Sequence, residues 1–169
     1  NNIGEAYRMM GKPQRAIEHL ERSLRIGTEI GWKDALTEYH RQLSQAYLMA
    51  GDLEKARAHG TQALNSAQTL GQKVEEAIST RVLASIAAQS QDMAEAESGF
   101  QRALNLFRSL SADQELAATH EAYADLLSSL GRGDETLDNL RAAQALYTRL
   151  GAAKDEQRVT QRLTEIPRA

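Results

Sequence analysis

Two arginines at equivalent positions are the residues of this sequence best suited to bind a ligand. Arg41 and Arg81 stand forty residues apart, and each lies in a segment predicted to be helical. If those helices are neighbours, the two guanidinium groups lie roughly 8–10 Å apart, the spacing of packed helices. Guanidinium groups bind carboxylates and phosphates through paired hydrogen bonds, so together they could hold an acidic or phosphorylated peptide.

The same two arginines have a purely structural alternative. Arg81 can pair with Glu121, the residue forty positions later. Arg41 can pair with Glu38 or with Glu5. Exposed pairs of this kind contribute only about 0–1 kcal/mol to stability. The sequence leaves both interpretations open.

The other residues that could carry chemistry are predicted to serve packing. His40 and His120 occupy equivalent positions on the apolar face of a helix, and no His-x-x-x-His metal spacing is present. Glu75 and Glu76 open a helix, where carboxylates interact favourably with the helix dipole. Trp32 is predicted to pack between the first two repeats, with a surface anchor as the alternative. The sequence therefore predicts no catalytic residue, no metal site and no cofactor.

A forty-residue period runs through the chain and positions all of these residues. The period is carried by three series: Leu43, Leu83 and Tyr123; Ala16, Ala56 and Ala96; and Gly11, Gly51 and Gly131. A fixed period in this range is typical of stacked-repeat proteins, in which each repeat packs on its neighbours. Apolar residues spaced by three and four predict two amphipathic helices in each repeat, A and B, separated by turns at glycine.

The pattern predicts one all-α repeat domain over residues 1–169. The predicted repeats are about 1–32, 33–72, 73–112 and 113–152, followed by a capping helix at about 153–166. The last segment is strongly polar, as expected for a helix whose outer face has no neighbour. Asn1 falls inside the first helix A, so the chain is interpreted as a fragment of a longer protein.

Composition excludes several classes of function. The net charge of −3 and the pI near 5.8 lack the basic excess of nucleic-acid-binding proteins. The absence of cysteine excludes disulfides and thiolate metal sites, and it favours a reducing compartment. The longest apolar run, from Val82 to Ala88, is far shorter than a membrane span. We expect a cytoplasmic protein that binds neither nucleic acid nor membrane.

The repeats resemble the tetratricopeptide repeat. That family's pattern has a Leu-Gly pair, a tyrosine three positions on, a glycine four beyond it, and then alanines at fixed distances. The first two repeats carry it as Ile3-Gly4, Tyr7, Gly11 and Ala16, and as Leu43-Ser44, Tyr47, Gly51 and Ala56. Each repeat has forty residues instead of the usual 34. This length is similar to that of the repeats in kinesin light chains, LGN/Pins adaptors and MalT-like bacterial regulators.

The resemblance implies a right-handed superhelical solenoid of antiparallel helix pairs, with the A helices lining a concave groove. The A-helix residues opposite the buried stripe would face that groove. This predicted partner-binding set is Glu38, Arg41, Gln45, Met49, Arg81, Ser85, Gln89, Glu121 and Asp125. The row changes from basic in the second and third repeats to acidic in the fourth, which would orient a partner of matching polarity.

The predicted function is a non-catalytic scaffold that binds a protein or peptide partner in this groove. One alternative is a sensor or regulatory arm of a bacterial signalling or transcription regulator. Another is a structural spacer or self-association module. A monomer is expected, with end-to-end self-association as the alternative. The lysine and asparagine clamp of the chaperone-binding members is not reproduced, so the resemblance does not predict chaperone binding.

Overall fold

The computed structural model describes residues 2–166, and every regular element in that range is an α-helix. The helices are α1 (Asn2–Met9), α2 (Pro13–Glu29), α3 (Lys33–Ala50), α4 (Leu53–Thr69), α5 (Lys73–Gln89), α6 (Met93–Ser109), α7 (Asp113–Ser129), α8 (Gly133–Leu150) and α9 (Ala153–Glu165). Helices α1, α3, α5 and α7 are the A helices of the four repeats, and each is followed by a helix B. The predicted all-α repeat fold is confirmed.

Several turns between helices begin with a residue in the left-handed conformation, whose N–H donates to a carbonyl of the helix that ends there. Gly51 ends α3 with φ 80°, and its N–H donates to the carbonyl of Leu48 at 3.1 Å. Asp52 then caps α4, because its Oδ1 accepts from the N–H of Lys55 at 3.1 Å. In the third repeat Gln91 adopts the same left-handed conformation, with φ 62°. The turn geometry is therefore retained where glycine is absent, although a left-handed non-glycine residue costs about 1–2 kcal/mol.

The chain divides into two compact units, Asn1–Ala96 and Glu97–Ala169. In the first unit each helix from α1 to α4 packs on the next, and α3 also contacts α5. In the second unit α8 packs against both α7 and α9. No helix in the described range is long and apolar enough to cross a membrane.

Small residues allow the close approach of helices in the first unit. A Cβ atom on Gly60 of α4 would lie 2.9 Å from Cδ2 of Leu83 on α5, and equally close to Oγ of Ser44 on α3. The Ser44 hydroxyl donates to the carbonyl of Ala56 at 2.7 Å, and Ala56 is fully buried. The forty-residue series of small side chains thus marks positions where helices meet with little space between them.

The second unit is held by a smaller apolar cluster that reaches the last helix. Its buried members are Ala117, Ala124, Leu140, Ala143, Tyr147 and Val159. Val159 is the buried residue of α9, and Leu163 packs partly buried beside it. The rest of α9 is polar, so this helix is joined to the unit by few apolar contacts together with the ion pairs described below.

The prediction that Trp32 packs between the first two repeats is wrong. Its side chain is 56% exposed. The turn that contains it is closed by its backbone, whose N–H donates to the carbonyl of Gly27 at 2.9 Å. The space beside Gly27 is already filled, because a Cβ there would lie 3.0 Å from the Tyr39 ring and 3.1 Å from Leu36. Tyr39 and Leu36 therefore occupy the space beside Gly27.

Candidate partner-binding surface

Arg41 joins two neighbouring A helices. Its Nε donates to Oε2 of Glu75, in the first turn of α5, at 2.7 Å, and its Nη1 is 3.5 Å from Oε1 of Gln45. The Arg41 side chain is 15% exposed and that of Glu75 is 25% exposed. This pair therefore bridges α3 and α5 in a setting where solvent screens it less than on an open surface.

The sequence suggested Glu38 or Glu5 as the partner of Arg41, whereas its hydrogen-bonded ion pair is with Glu75. The Glu5 carboxylate is bound by Arg8 of its own helix at 2.6 Å, and this hydrogen bond is the main reason that the pKa of Glu5 is lowered. The charge of Arg41 is only a minor cause of the lowered pKa of Glu5. Glu38 accepts from Nε2 of Gln42 at 2.8 Å. Arginine reaches across to α5 because its side chain is long enough to meet the next helix, which a helical-wheel argument within α3 does not consider.

The other predicted contact residues of the first unit lie on α3 and α5. Gln45, Arg81 and Ser85 are half-buried, and the Ser85 hydroxyl donates to the carbonyl of Arg81 at 3.2 Å. Met49 is 47% exposed and Gln89 is exposed, each near the C-terminal end of its helix. In this part of the predicted surface Arg41 is held by Glu75 and Gln45, and Met49 and Gln89 are accessible to a partner.

Glu121 is buried, in contrast to the exposed role predicted for it. It is 8% exposed, and its Oε1 accepts from the hydroxyl of Tyr147 on α8 at 2.8 Å. Arg158 of α9 donates to Oε1 at 2.6 Å and to Oε2 at 3.2 Å. Arg162, one turn further along α9, lies 3.4 Å from Oε2. One carboxylate thereby connects three helices of the second unit.

Asp125 is also paired with α9. Nη2 of Arg162 donates to Oδ1 of Asp125, whose side chain is still 68% exposed. The Tyr147 pKa is raised by burial and by its hydrogen bond to Glu121. The two acids of the predicted partner-binding set, Glu121 and Asp125, therefore form ion pairs with arginines of their own unit.

Sequence reasoning missed the part that α9 plays. Arg158 and Arg162 were assigned to the outer, solvated face of a capping helix. Their spacing of four residues puts both side chains on one face of α9, and that face lies beside Glu121 and Asp125. The spacing of four residues is visible in the sequence, but two arginines on one face of a helix do not indicate which other helix that face contacts.

His40 and His120 are packed and hydrogen-bonded, as predicted, and the partner of each lies on the following helix B. Nδ1 of His40 lies 2.9 Å from Nδ1 of His59, and the His59 ring stacks on Tyr47 with centroids 5.5 Å apart. In the fourth repeat the equivalent pair is His120 and Asn139, with Nδ1 and Oδ1 2.8 Å apart. Within residues 2–166, no group of three or more histidine, aspartate or glutamate side chains is arranged to hold a metal ion.

The histidine pair predicts a specific dependence of stability on pH. Burial, followed by the charge of His59, lowers the pKa of His40 from 6.5 to about 4, and burial also lowers the pKa of His59. The unfolded chain therefore binds more protons than the folded chain, and stability is lost as the pH falls from about 6.5 towards 4. Both rings are partly exposed, so we expect a loss of about 1–2 kcal/mol.

Urea unfolding between about pH 7.5 and pH 5 measures this loss. His59→Asn is the matched control, because it installs the pair that His120 and Asn139 form in the fourth repeat. The variant is expected to show a shallower loss over the same range. Identical pH profiles for the two proteins would exclude the His40–His59 pair as the source.

Comparison with known proteins identifies the fold. A family model described as a tetratricopeptide repeat matches residues 1–69. Residues 1–69 match that repeat, and the described helices have a tetratricopeptide-repeat-like fold. No curated protein matches this sequence.

Three solved structures are similar to this helical-repeat fold. BtubC (BKLC) from P. vanneervenii has a TM-score of 0.68 at 19% identity, over 96% of this chain and 76% of that protein. Aspartyl phosphate phosphatase F from Bacillus subtilis has a TM-score of 0.80 at 16% identity, over 94% of this chain but only 42% of the phosphatase. A putative kinesin light chain from Podospora anserina with nearly identical TPR-like repeats has a TM-score of 0.59 at 16% identity, over 98% of this chain and 92% of that one. At these identities the likeness concerns the fold alone.

Proposed function

We propose that this array is a non-catalytic scaffold that binds a protein or peptide partner along the faces of α3 and α5 that carry Arg41 and Arg81. Tetratricopeptide repeats generally mediate protein–protein interaction and are typically non-catalytic. The observation that carries the proposal is the Arg41–Glu75 bridge. It holds a guanidinium group in one orientation and occupies only part of its five N–H donors. A donor group fixed before binding loses less conformational entropy when a partner is bound.

The proposed contacts lie on α3 and α5 of the first unit. They are Glu38, Arg41, Gln45, Met49, Arg81, Ser85 and Gln89. The predicted residues of the second unit, Glu121 and Asp125, are bound by Arg158 and Arg162 of α9 and are left out of this surface. A partner with carboxylate or carbonyl acceptors opposite the two arginines has the matching chemistry.

Loss of the two arginines is expected to weaken partner binding about tenfold or more, because the partner's acceptors lose charged donors. The variant is Arg41→Gln with Arg81→Gln. Capture is measured with a photo-reactive amino acid in place of Met49, applied to the proteome of the source organism and quantified by mass spectrometry. The same amino acid in place of the exposed Thr61 on α4 reports non-specific capture.

Glu75→Gln tests whether Arg41 contacts the partner or only joins α3 to α5. It replaces the ion pair with a neutral hydrogen bond and keeps the guanidinium group, so capture should fall less than in the double arginine variant. If Glu75→Gln reduces capture as strongly as the double arginine variant, Arg41 acts only by joining α3 to α5. If Met49 captures nothing beyond what Thr61 captures, the proposed surface is wrong. The regulatory-arm and spacer alternatives stay predictions, which the domains of the parent protein and light scattering would test.

A further inference from the structure

A recess lies between α3 and α4, at the end of α3 opposite to Met49. Its volume is about 260 Å³. It is lined by Lys33, Leu36, Asn65, Ser66, Thr69 and Leu70. Leu36 is half-buried and Leu70 is 40% exposed, so the recess presents apolar surface to solvent. Trp32, the residue immediately before Lys33, is also exposed.

The fourth repeat has an ion pair at the equivalent position. Two periods after Lys33 and Thr69 stand Asp113 and Arg149. Nη2 of Arg149 lies 2.8 Å from Oδ2 of Asp113, so their side chains join α7 to α8. In the second repeat the acid is replaced by a lysine and the arginine by a threonine. No such bridge can form there, although the flanking leucines are kept, with Leu70 equivalent to Leu150.

The replacement leaves a cation beside the recess. Within the described residues the ammonium group of Lys33 makes no ion pair or hydrogen bond, and the residue is exposed. The apolar lining and this cation together match a ligand that has an apolar side chain next to an anion. The volume is below the roughly 300–1,000 Å³ of small-molecule and cofactor pockets, and it suits a single side chain.

We propose that this recess binds one bulky apolar side chain of a partner peptide, with a carboxylate of that peptide bound by Lys33. The site is a second interaction surface, on the edge of the first unit formed by the turns that lead into helices A. It shares no residue with the surface that carries Arg41 and Arg81. Binding there is therefore independent of the function proposed above.

The double variant Lys33→Asp with Thr69→Arg tests the proposal by installing the ion pair of the fourth repeat. The probes are short fluorescein-labelled peptides with a central leucine, phenylalanine or tryptophan among glutamates. Fluorescence anisotropy should show binding to the unaltered protein. The double variant should bind about tenfold more weakly or worse, because an ion pair spans the recess and neutralises the cation at its edge. Peptides with serine at the centre, or with lysines instead of glutamates, should bind as weakly to the unaltered protein.

Two controls make the result decisive. Lys154→Gln lowers the net charge by the same amount as the double variant but lies on exposed α9, so its affinity should be unchanged. Arg41→Gln should also leave the affinity unchanged, which separates this site from the first surface. On the unaltered protein, the methyl resonances of Leu36 and Leu70 should shift when the probe binds. Undiminished binding by the folded double variant, equal binding of the lysine peptides, or unshifted methyl resonances would each overturn the proposal.

Discussion

Glu121→Ala is expected to lower the free energy of unfolding by about 2–4 kcal/mol. The carboxylate is 8% exposed and accepts hydrogen bonds from Tyr147 on α8 and from Arg158 and Arg162 on α9. Its removal leaves the Tyr147 hydroxyl buried without this acceptor and brings two guanidinium groups together without their shared anion. Urea denaturation followed by circular dichroism measures the loss.

The effect of Glu121→Ala should be greatest at α9. That helix is joined to its unit by Val159 and a few partly buried apolar groups, so the ion pairs form a large share of its attachment. Amide hydrogen exchange in α9 is expected to become faster than in α7 and α8. Asp138→Ala is the matched control, because Asp138 pairs only with exposed Arg141 one turn away, and its loss should cost less than about 0.5 kcal/mol. Equal stabilities of the two variants would show that Glu121 does not join the helices.

Leu43→Ala is expected to cost about 2–5 kcal/mol, whereas Ile3→Ala should cost less than about 0.5 kcal/mol. The two residues occupy the same position of the repeat, forty residues apart. Leu43 is fully buried in the first unit, and truncating it leaves a cavity that the helices around it fill only in part. Ile3 is 58% exposed, so the same truncation removes few contacts.

This pair of variants tests whether burial or repeat position decides the energetic role of a residue. Thermal or urea unfolding of both proteins gives the comparison. Similar losses from the two truncations would mean that Ile3 makes contacts that its exposure does not indicate. A small loss at Leu43 would contradict the packing of α3 against α2 and α4.

The helices could be predicted closely because they depend on local spacing. The second repeat, predicted to begin at about residue 33, begins with α3 at Lys33. Apolar residues at intervals of three and four, a capping aspartate at Asp52 and a left-handed glycine at Gly51 all act within one or two turns. The histidine contacts were also predictable in kind, since His40 and His120 share a position on the packed face of helix A.

The partners of the charged side chains could not be predicted in the same way. Arg41 binds Glu75, although the sequence suggested Glu38 or Glu5, and Glu121 is covered by arginines from α9. A helical wheel indicates the face on which a residue lies. It does not give the shift along the axis or the rotation of the next helix, and these decide which of several acids an arginine reaches. A change of a few ångströms exchanges one partner for another at little cost, because such pairs differ by only about 1 kcal/mol.

The amino-acid sequence alone therefore determined the repeat, the order of its helices and the positions of its small and apolar residues, because these follow from a period that is repeated along the chain. Only the tertiary structure decided which polar and aromatic side chains are buried, exposed or paired in each repeat. It buried Glu121, exposed Trp32, and left a recess beside Lys33 where the fourth repeat has the Asp113–Arg149 bridge. The physical reason is that long polar side chains are placed by contacts between helices, and such contacts depend on several segments at once.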